Sequence, residues 1–300
     1  MPSRLPYPPL LAAALTLLAA ACSSERGTPA PEVGPPEGTL ETFAELTGGS
    51  EGIAFAGDVL YAALTGRGLV RVQTDGTVEE FVEIPSPVGV SPGPGGKVLV
   101  CGKSEDTGEG VIWSVSAAGE RSVLVRGATE PLALTNFVVV APDGRLVFSD
   151  SGGDRVYVAE SDGSSPRAAV TTVDYPNGLA FSEDGKTLYI ASWSTETVYA
   201  ASYDGGALGE PRAHVTGFKS VDGLVALRGG DLVLVTSGDG VLRVAPDGTA
   251  RTLAPSSLLQ VPANGALGTG EYGKRWLYVT NLLGRSIARV AVDGEGVPLR

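Results

Sequence analysis

The stretch Pro176-Asn177-Gly178-Leu179-Ala180-Phe181-Ser182-Glu183-Asp184-Gly185-Lys186-Thr187-Leu188-Tyr189 reads as two short strands around one tight turn. Asp-Gly supplies the positive φ angles that a two-residue hairpin needs, and the apolar runs on either side fit strands. Working outward, a third strand runs to the turn Asp204-Gly205, and a fourth follows. The same unit recurs along the chain. Its first turn falls at Gly57-Asp58, Gly95-Gly96, Asp143-Gly144, Asp184-Gly185, Gly229-Gly230 and Tyr272-Gly273. Its later turn falls at Asp75-Gly76, Ala118-Gly119, Asp162-Gly163, Asp204-Gly205, Asp247-Gly248 and Asp293-Gly294. Six units of four strands, about forty residues apart, predict an all-β, six-bladed β-propeller over residues 38–300. No segment carries a sustained helical period.

Closure of the ring is legible too. Thr39-Leu40-Glu41-Thr42-Phe43-Ala44-Glu45-Leu46 mirrors Thr77-Val78-Glu79-Glu80-Phe81-Val82-Glu83-Ile84, the outer strand of the first blade. Residues 39–46 are therefore an outer strand without a blade of its own. The sixth blade runs out of chain at Pro298–Arg300, so the N-terminal strand is expected to complete it and remove an open edge.

The 300 residues carry 34 acidic and 22 basic side chains, a net charge of −12, which argues against a nucleic-acid partner. Hydrophobic residues make up 43% and Gly contributes 42, a globular composition rich in turns. Before the repeats, Arg4 precedes an apolar run from Leu10 to Ala21, too short to span a bilayer and fit for a signal peptide over residues 1–21. Residues 22–37 read as a Pro-rich tether. Of the two cysteines, Cys22 follows the apolar run, and Cys101 lies in a strand-like run as an expected buried free thiol.

Two motif matches carry no chemistry. Gly48-Gly49-Ser50-Glu51-Gly52 fits a nucleophile elbow but precedes a strand, and the only histidine, His214, lies in an expected solvated outer strand. Gly268 to Lys274 resembles a phosphate loop but continues with Arg275 and links two strands, so a hairpin loop is expected.

The informative positions are the starts of the six inner strands: Glu51, Val88, Asn136, Asn177, Asp222 and Asn264. Five carry a side-chain oxygen, and three of the chain's four asparagines are among them. Asn-Gly and Asp-Gly also open turns, which is the structural alternative. An all-oxygen set of two carboxylates and neutral amides suits one hard divalent cation, Ca²⁺ before Zn²⁺, Mn²⁺ or Mg²⁺.

From these residues the chain resembles the gluconolactonase and senescence-marker-protein (regucalcin) family, six-bladed propellers with one metal in the mouth. Pro176 to Tyr189 follows the family's most recognisable segment, Val221-Asp222-Gly223-Leu224 matches another, and Glu51-Gly52 matches the opening glutamate. The resemblance implies Glu51, Asn177 and Asp222 as metal ligands, Asp222 as general base, and Asn136 in contact with metal or substrate; Asn264 is a further candidate contact. It implies a metal-dependent hydrolase of a lactone or ester. The family's Arg-x-Asn-Asp reads Leu134-Thr135-Asn136-Phe137 here, which points away from a sugar lactone toward a less polar substrate. A non-catalytic envelope binding module with a structural metal is the alternative, and a strictosidine-synthase-like propeller lacks its glutamate pattern. Leu18 to Ser24 resembles the bacterial lipoprotein signal, with Ala19 where Leu is usual. That resemblance implies lipidation of Cys22 and a lipid-anchored monomer in the cell envelope, at the outer membrane because no Asp follows Cys22. An ordinary signal peptide, giving a periplasmic or secreted protein, is the other reading.

Overall fold

The computed structural model describes residues 34–299. The expected signal peptide, Cys22 and most of the tether lie outside the described residues. Six antiparallel sheets follow one another around a central channel, each running from an inner strand outward. The inner strands are Ser50–Ala56, Val90–Pro92, Thr135–Val140, Pro176–Phe181, Val221–Ala226 and Pro262–Leu267. Blade four carries a small addition: its third strand, Thr197–Asp204, extends past the sheet and pairs with Ala207–Leu208 through Gly205 and Gly206, both at positive φ. Only single 3₁₀ turns interrupt the strands. The Gly268–Lys274 segment is a hairpin loop containing one of them, Gly270–Tyr272.

Why a ring of blades follows from this sequence is a matter of burial. Both faces of each sheet are covered by neighbouring blades, so second and third strands can be buried throughout and mostly apolar, as in Gly110–Val115 and Leu232–Thr236. Six apolar clusters result, one in each gap between adjacent blades. Outer strands have a wet edge and read mixed, as in Val78–Glu83.

The ring closes as the sequence predicts. Leu40–Glu45 pairs antiparallel with Ser286–Ala291 as the outer strand of blade six, and a bulge between Thr42 and Ala44 lets it follow the curved edge. Phe43 on this strand meets Tyr278 edge-on at 4.7 Å between ring centroids, and Phe55 from blade one meets Tyr272 at 5.0 Å. Such pairs are each worth about 0.5–1.5 kcal/mol beyond the area they bury. Glu37 sets the strand's entry: its buried carboxylate pairs with Arg243 (3.0 Å) and Arg251 and accepts from the Asp293 N–H (3.1 Å).

Candidate functional site

Each candidate position sits where the backbone ladder is broken. Pairing between inner and second strand slips between Ser50 and Ile53, Thr135 and Val138, Pro176 and Leu179, Val221 and Gly223, and Pro262 and Gly265. These five β-bulges contain Glu51, Asn136, Asn177, Asp222 and Asn264. Blade two, with Val88, begins its regular strand later, at Val90, and its slip lies just before it: the Cys101 carbonyl accepts from the Val88 N–H (2.8 Å) while the Cys101 N–H donates to the Gly89 carbonyl (2.9 Å). A bulge re-aims a side chain and ends regular pairing, which turns the first residues of an inner strand toward the channel.

Register within the bulges corrects one expectation. Ser50, Thr135, Pro176, Val221 and Pro262 are equivalent first partners, so the position shared by Glu51, Asn136, Asn177 and Asp222 belongs in blade six to Ala263. Asn264 stands one residue later. Its Oδ1 accepts from the Gly265 N–H at 2.9 Å, so it serves the wall rather than the ring.

The glycines after these residues have a different reason from the one their turn-like dipeptides suggest. Gly52, Gly89, Gly178 and Gly223 do not take positive φ. A Cβ on Gly52 would lie 2.2 Å from the Val88 carbonyl oxygen, on Gly89 2.1 Å from that of Asn136, and on Gly178 2.4 Å from that of Asp222. On Gly223 it would lie 2.8 Å from that of Ala263. Glycine lets each inner strand press against the next. Blades three and six, which carry Phe137 and Asn264 instead, use a hydroxyl. Ser149 Oγ donates to the Asn177 carbonyl at 2.8 Å and accepts from the Phe137 N–H at 3.0 Å. Thr280 Oγ1 donates to the Glu51 carbonyl and accepts from the Asn264 N–H at 3.1 Å. The site residues are thus joined, blade to blade, around the whole ring.

Asn136, Asn177 and Asp222 are buried, and Glu51 is partly buried. Asn177 Oδ1 and Asp222 Oδ1 have no hydrogen-bond partner. An orphaned buried acceptor costs about 1–3 kcal/mol. Burial pushes the Glu51 carboxyl up to about 7. Asp222 is raised well above the usual carboxylate range by burial and then by the Glu51 charge, with Asn177 opposing. The unpaired Asn177 amide oxygen and two carboxylates that resist ionising together, Glu51 and Asp222, form a donor set a hard cation would satisfy. Among the described residues no group of three or more His, Cys, Asp or Glu side chains comes together, so such a centre would lean on amide oxygens. Cys101 adds no ligand: it is fully buried and unpaired, and burial followed by the Glu51 charge holds its thiol protonated.

Tyr175, two residues before Asn177, was not apparent from the sequence as a site residue. It directly precedes the inner strand Pro176–Phe181, and its phenol is raised by burial and then by the charges of Glu51 and Asp222. Its backbone is held at φ 44° by an N–H donated to Asp154 (2.8 Å) and a carbonyl accepting from the Trp193 N–H (3.2 Å). Its ring lies 5.7 Å from that of Trp193, which is 43% exposed. His214 lies in the outer strand Arg212–Thr216 as expected, though half-buried against Tyr189 rather than solvated.

Fold and site together define a six-bladed propeller with a carboxylate–amide ring at one mouth. The model of the SMP-30/gluconolactonase/LRE-like region matches residues 50–283, and the chain belongs to that family. Among solved structures, a gluconolactonase from Xanthomonas campestris is 25% identical, covering 84% of this chain and 89% of its own, with a TM-score of 0.73. A calcium-binding protein, regucalcin, from Agrobacterium tumefaciens is 18% identical over 86% and 97%, with a TM-score of 0.67. An auxiliary nutrient binding protein from Bacteroides thetaiotaomicron is 10% identical over 84% and 76%, with a TM-score of 0.70. The last two likenesses establish the fold alone. No curated protein matches the sequence.

Proposed function

We propose that this protein is a divalent-cation-dependent hydrolase of a lactone or ester less polar than a sugar lactone. The observation that carries this reading is the pair of buried, unpartnered oxygens, Asn177 Oδ1 and Asp222 Oδ1, beside Glu51 on equivalent bulges. The family supports lactonase-type chemistry, and the likeness to the Xanthomonas gluconolactonase agrees with it. Glu51, Asn177 and Asp222 would hold the ion, Ca²⁺ before Zn²⁺, Mn²⁺ or Mg²⁺, with Asn136 beside them. When bound, the cation supplies Lewis acidity toward a substrate carbonyl oxygen.

Asp222 is the proposed general base. Its Oδ1 receives no donor from the protein and can take a proton from a water. Burial and the Glu51 charge raise its basicity, which brings a carboxylate closer to useful strength near neutral pH. Substrate polarity is read from the wall. The Arg and Asp that the resemblance implies beside Asn136 are replaced by Leu134 and the buried Phe137, and the Tyr175–Trp193 pair adds an aromatic surface. We place the protein in the bacterial cell envelope, exported as a monomer and anchored through lipidated Cys22, on the sequence pattern alone.

The experiment is a panel of lactones and esters with and without Ca²⁺, run on wild type, Asp222→Ala and Asp222→Asn. Asp222→Ala is expected to abolish both calcium-induced thermal stabilisation and turnover. Asp222→Asn keeps one ligand oxygen, so stabilisation should weaken while turnover is lost. Full turnover by Asp222→Asn removes the base assignment. Calcium stabilisation without hydrolysis of any substrate favours the binding-module reading, to which the loss of the expected Arg and Asp also points. No stabilisation by any of the four cations overturns the site.

A further inference from the structure

At the other end of the channel lies a cavity of about 380 Å³. Its walls are Phe55, Phe137, Val139, Phe181, Val225 and Leu267, from the inner strands of blades one, three, four, five and six. None of the ring residues Glu51, Asn136, Asn177 or Asp222 lines it.

The C-terminal tail forms one wall. After blade six, Gly296 bridges to Leu227, and the Val297 N–H donates to the Ala226 carbonyl at 2.8 Å. Residues 295–299 therefore run across the ends of the inner strands as an added edge, and Pro298 and Leu299 reach the cavity.

Charges at the rim are unequal. Arg228 is neutralised by Glu183 (2.6 Å) and Glu295 (3.4 Å). Lys274, also on the cavity wall, makes no ion pair among the described residues. Among the described residues, Lys274 is thus the basic side chain of the cavity wall left without a carboxylate partner.

We propose that this cavity is a second binding site, for a medium-chain carboxylate whose alkyl chain fills the apolar channel and whose head group meets Lys274. Mostly apolar cavities of about 300–1,000 Å³ with a few convergent polar groups are the usual form of small-molecule sites. The volume lies at the lower end of that range, and decanoate serves as a probe with a medium-length chain.

Calorimetric titration of the full-length protein with sodium decanoate, in calcium-free buffer below the micelle concentration, tests this. One saturable site per chain is expected, with acetate giving none. Val225→Trp fills the cavity from a half-buried wall position and should abolish binding. Lys274→Gln should weaken decanoate by about two- to fivefold, the worth of an exposed ion pair, and leave 1-decanol unchanged. Asp222→Ala should bind decanoate as wild type does. Absence of saturable binding overturns the proposal, as does undiminished binding by a Val225→Trp protein that melts like wild type. Loss of binding in Asp222→Ala would put the ligand at the opposite mouth and overturn it equally. If Val225→Trp fails to fold, the Lys274→Gln comparison decides: equal loss for decanoate and decanol, or none for either, removes the anionic head group.

Discussion

Ser149 and Asn177 belong to different blades, yet the Ser149 hydroxyl donates to the Asn177 carbonyl at 2.8 Å while accepting from the Phe137 N–H in its own bulge. One oxygen thus closes two gaps in the backbone ladder and fixes the strand that presents the Asn177 amide. Ser149→Ala orphans both groups and should cost about 1–3 kcal/mol in denaturant unfolding, with weaker calcium affinity by calorimetry. Wild-type stability with wild-type affinity would remove this positioning role.

Glu51 and Asp222 give the cation-free protein a definite pH dependence. Both folded-state values lie above ordinary carboxylate values. Their contribution is therefore fully present below about pH 4, and for Glu51 it is lost as pH rises through about 7. Chelator-treated protein should melt a few degrees lower at pH 8 than at pH 5, and the increment from added Ca²⁺ should grow over the same interval. A calcium increment that shrinks with rising pH would contradict the carboxylate ligands.

Gly178 and Gly144 separate two reasons for glycine. Gly144 stands in a turn at φ 86° with nothing near its missing Cβ, whereas Gly178 is hemmed in by the Asp222 carbonyl at 2.4 Å. Gly144→Ala should cost about 1 kcal/mol of backbone strain, and Gly144→Asn less. Gly178→Ala must push two inner strands apart and should cost more than 3 kcal/mol, with loss of calcium stabilisation. Equal melting temperatures for the two alanine variants would refute the close approach.

Glu37 should matter more than its place at the end of a Pro-rich segment suggests. Glu37→Ala removes one partner of Arg243, which keeps Asp231 (2.6 Å), takes the carboxylate from Arg251 and frees the Asp293 N–H, an expected loss of about 1–2 kcal/mol. Glu80→Ala, whose 3.7 Å pairing with Arg67 is exposed on both sides, should be neutral within about 0.5 kcal/mol. Thermal melts of the two variants check the contrast.

Much of this architecture is legible in the sequence because turns and alternation encode it locally. Asp-Gly and Gly-Gly dipeptides set the blade count, and the likeness of Thr39–Leu46 to Thr77–Ile84 revealed the closing strand. The ends of those two segments even behave alike: Leu46 and Ile84 are both buried, and each donates its N–H to a carbonyl at the start of the third strand's hairpin, Arg285 and Arg67. The position of Asn264 was not legible, since a one-residue shift inside a bulge leaves no trace in hydrophobic alternation. Nor was the purpose of Gly178 and Gly223, whose turn-like dipeptides conceal a contact between blades. Tyr175 and the returning tail at Val297 were missed because both depend on chain segments that meet only in three dimensions.

The pairing of Leu40 with Val290 imposes an order in time. These partners are about 250 residues apart, so the earliest strand made must wait unpaired until nearly the whole chain has been synthesised. Blades one to five can assemble from neighbours in sequence, but the last sheet cannot, and loop-closure entropy makes this the slowest junction to find. Until then the third strand of blade six, Ser286–Ala291, presents a bare edge to other chains. A chain that stalls short of Ser286 is left with two such edges and no ring, so the fold reports whether synthesis has passed blade six.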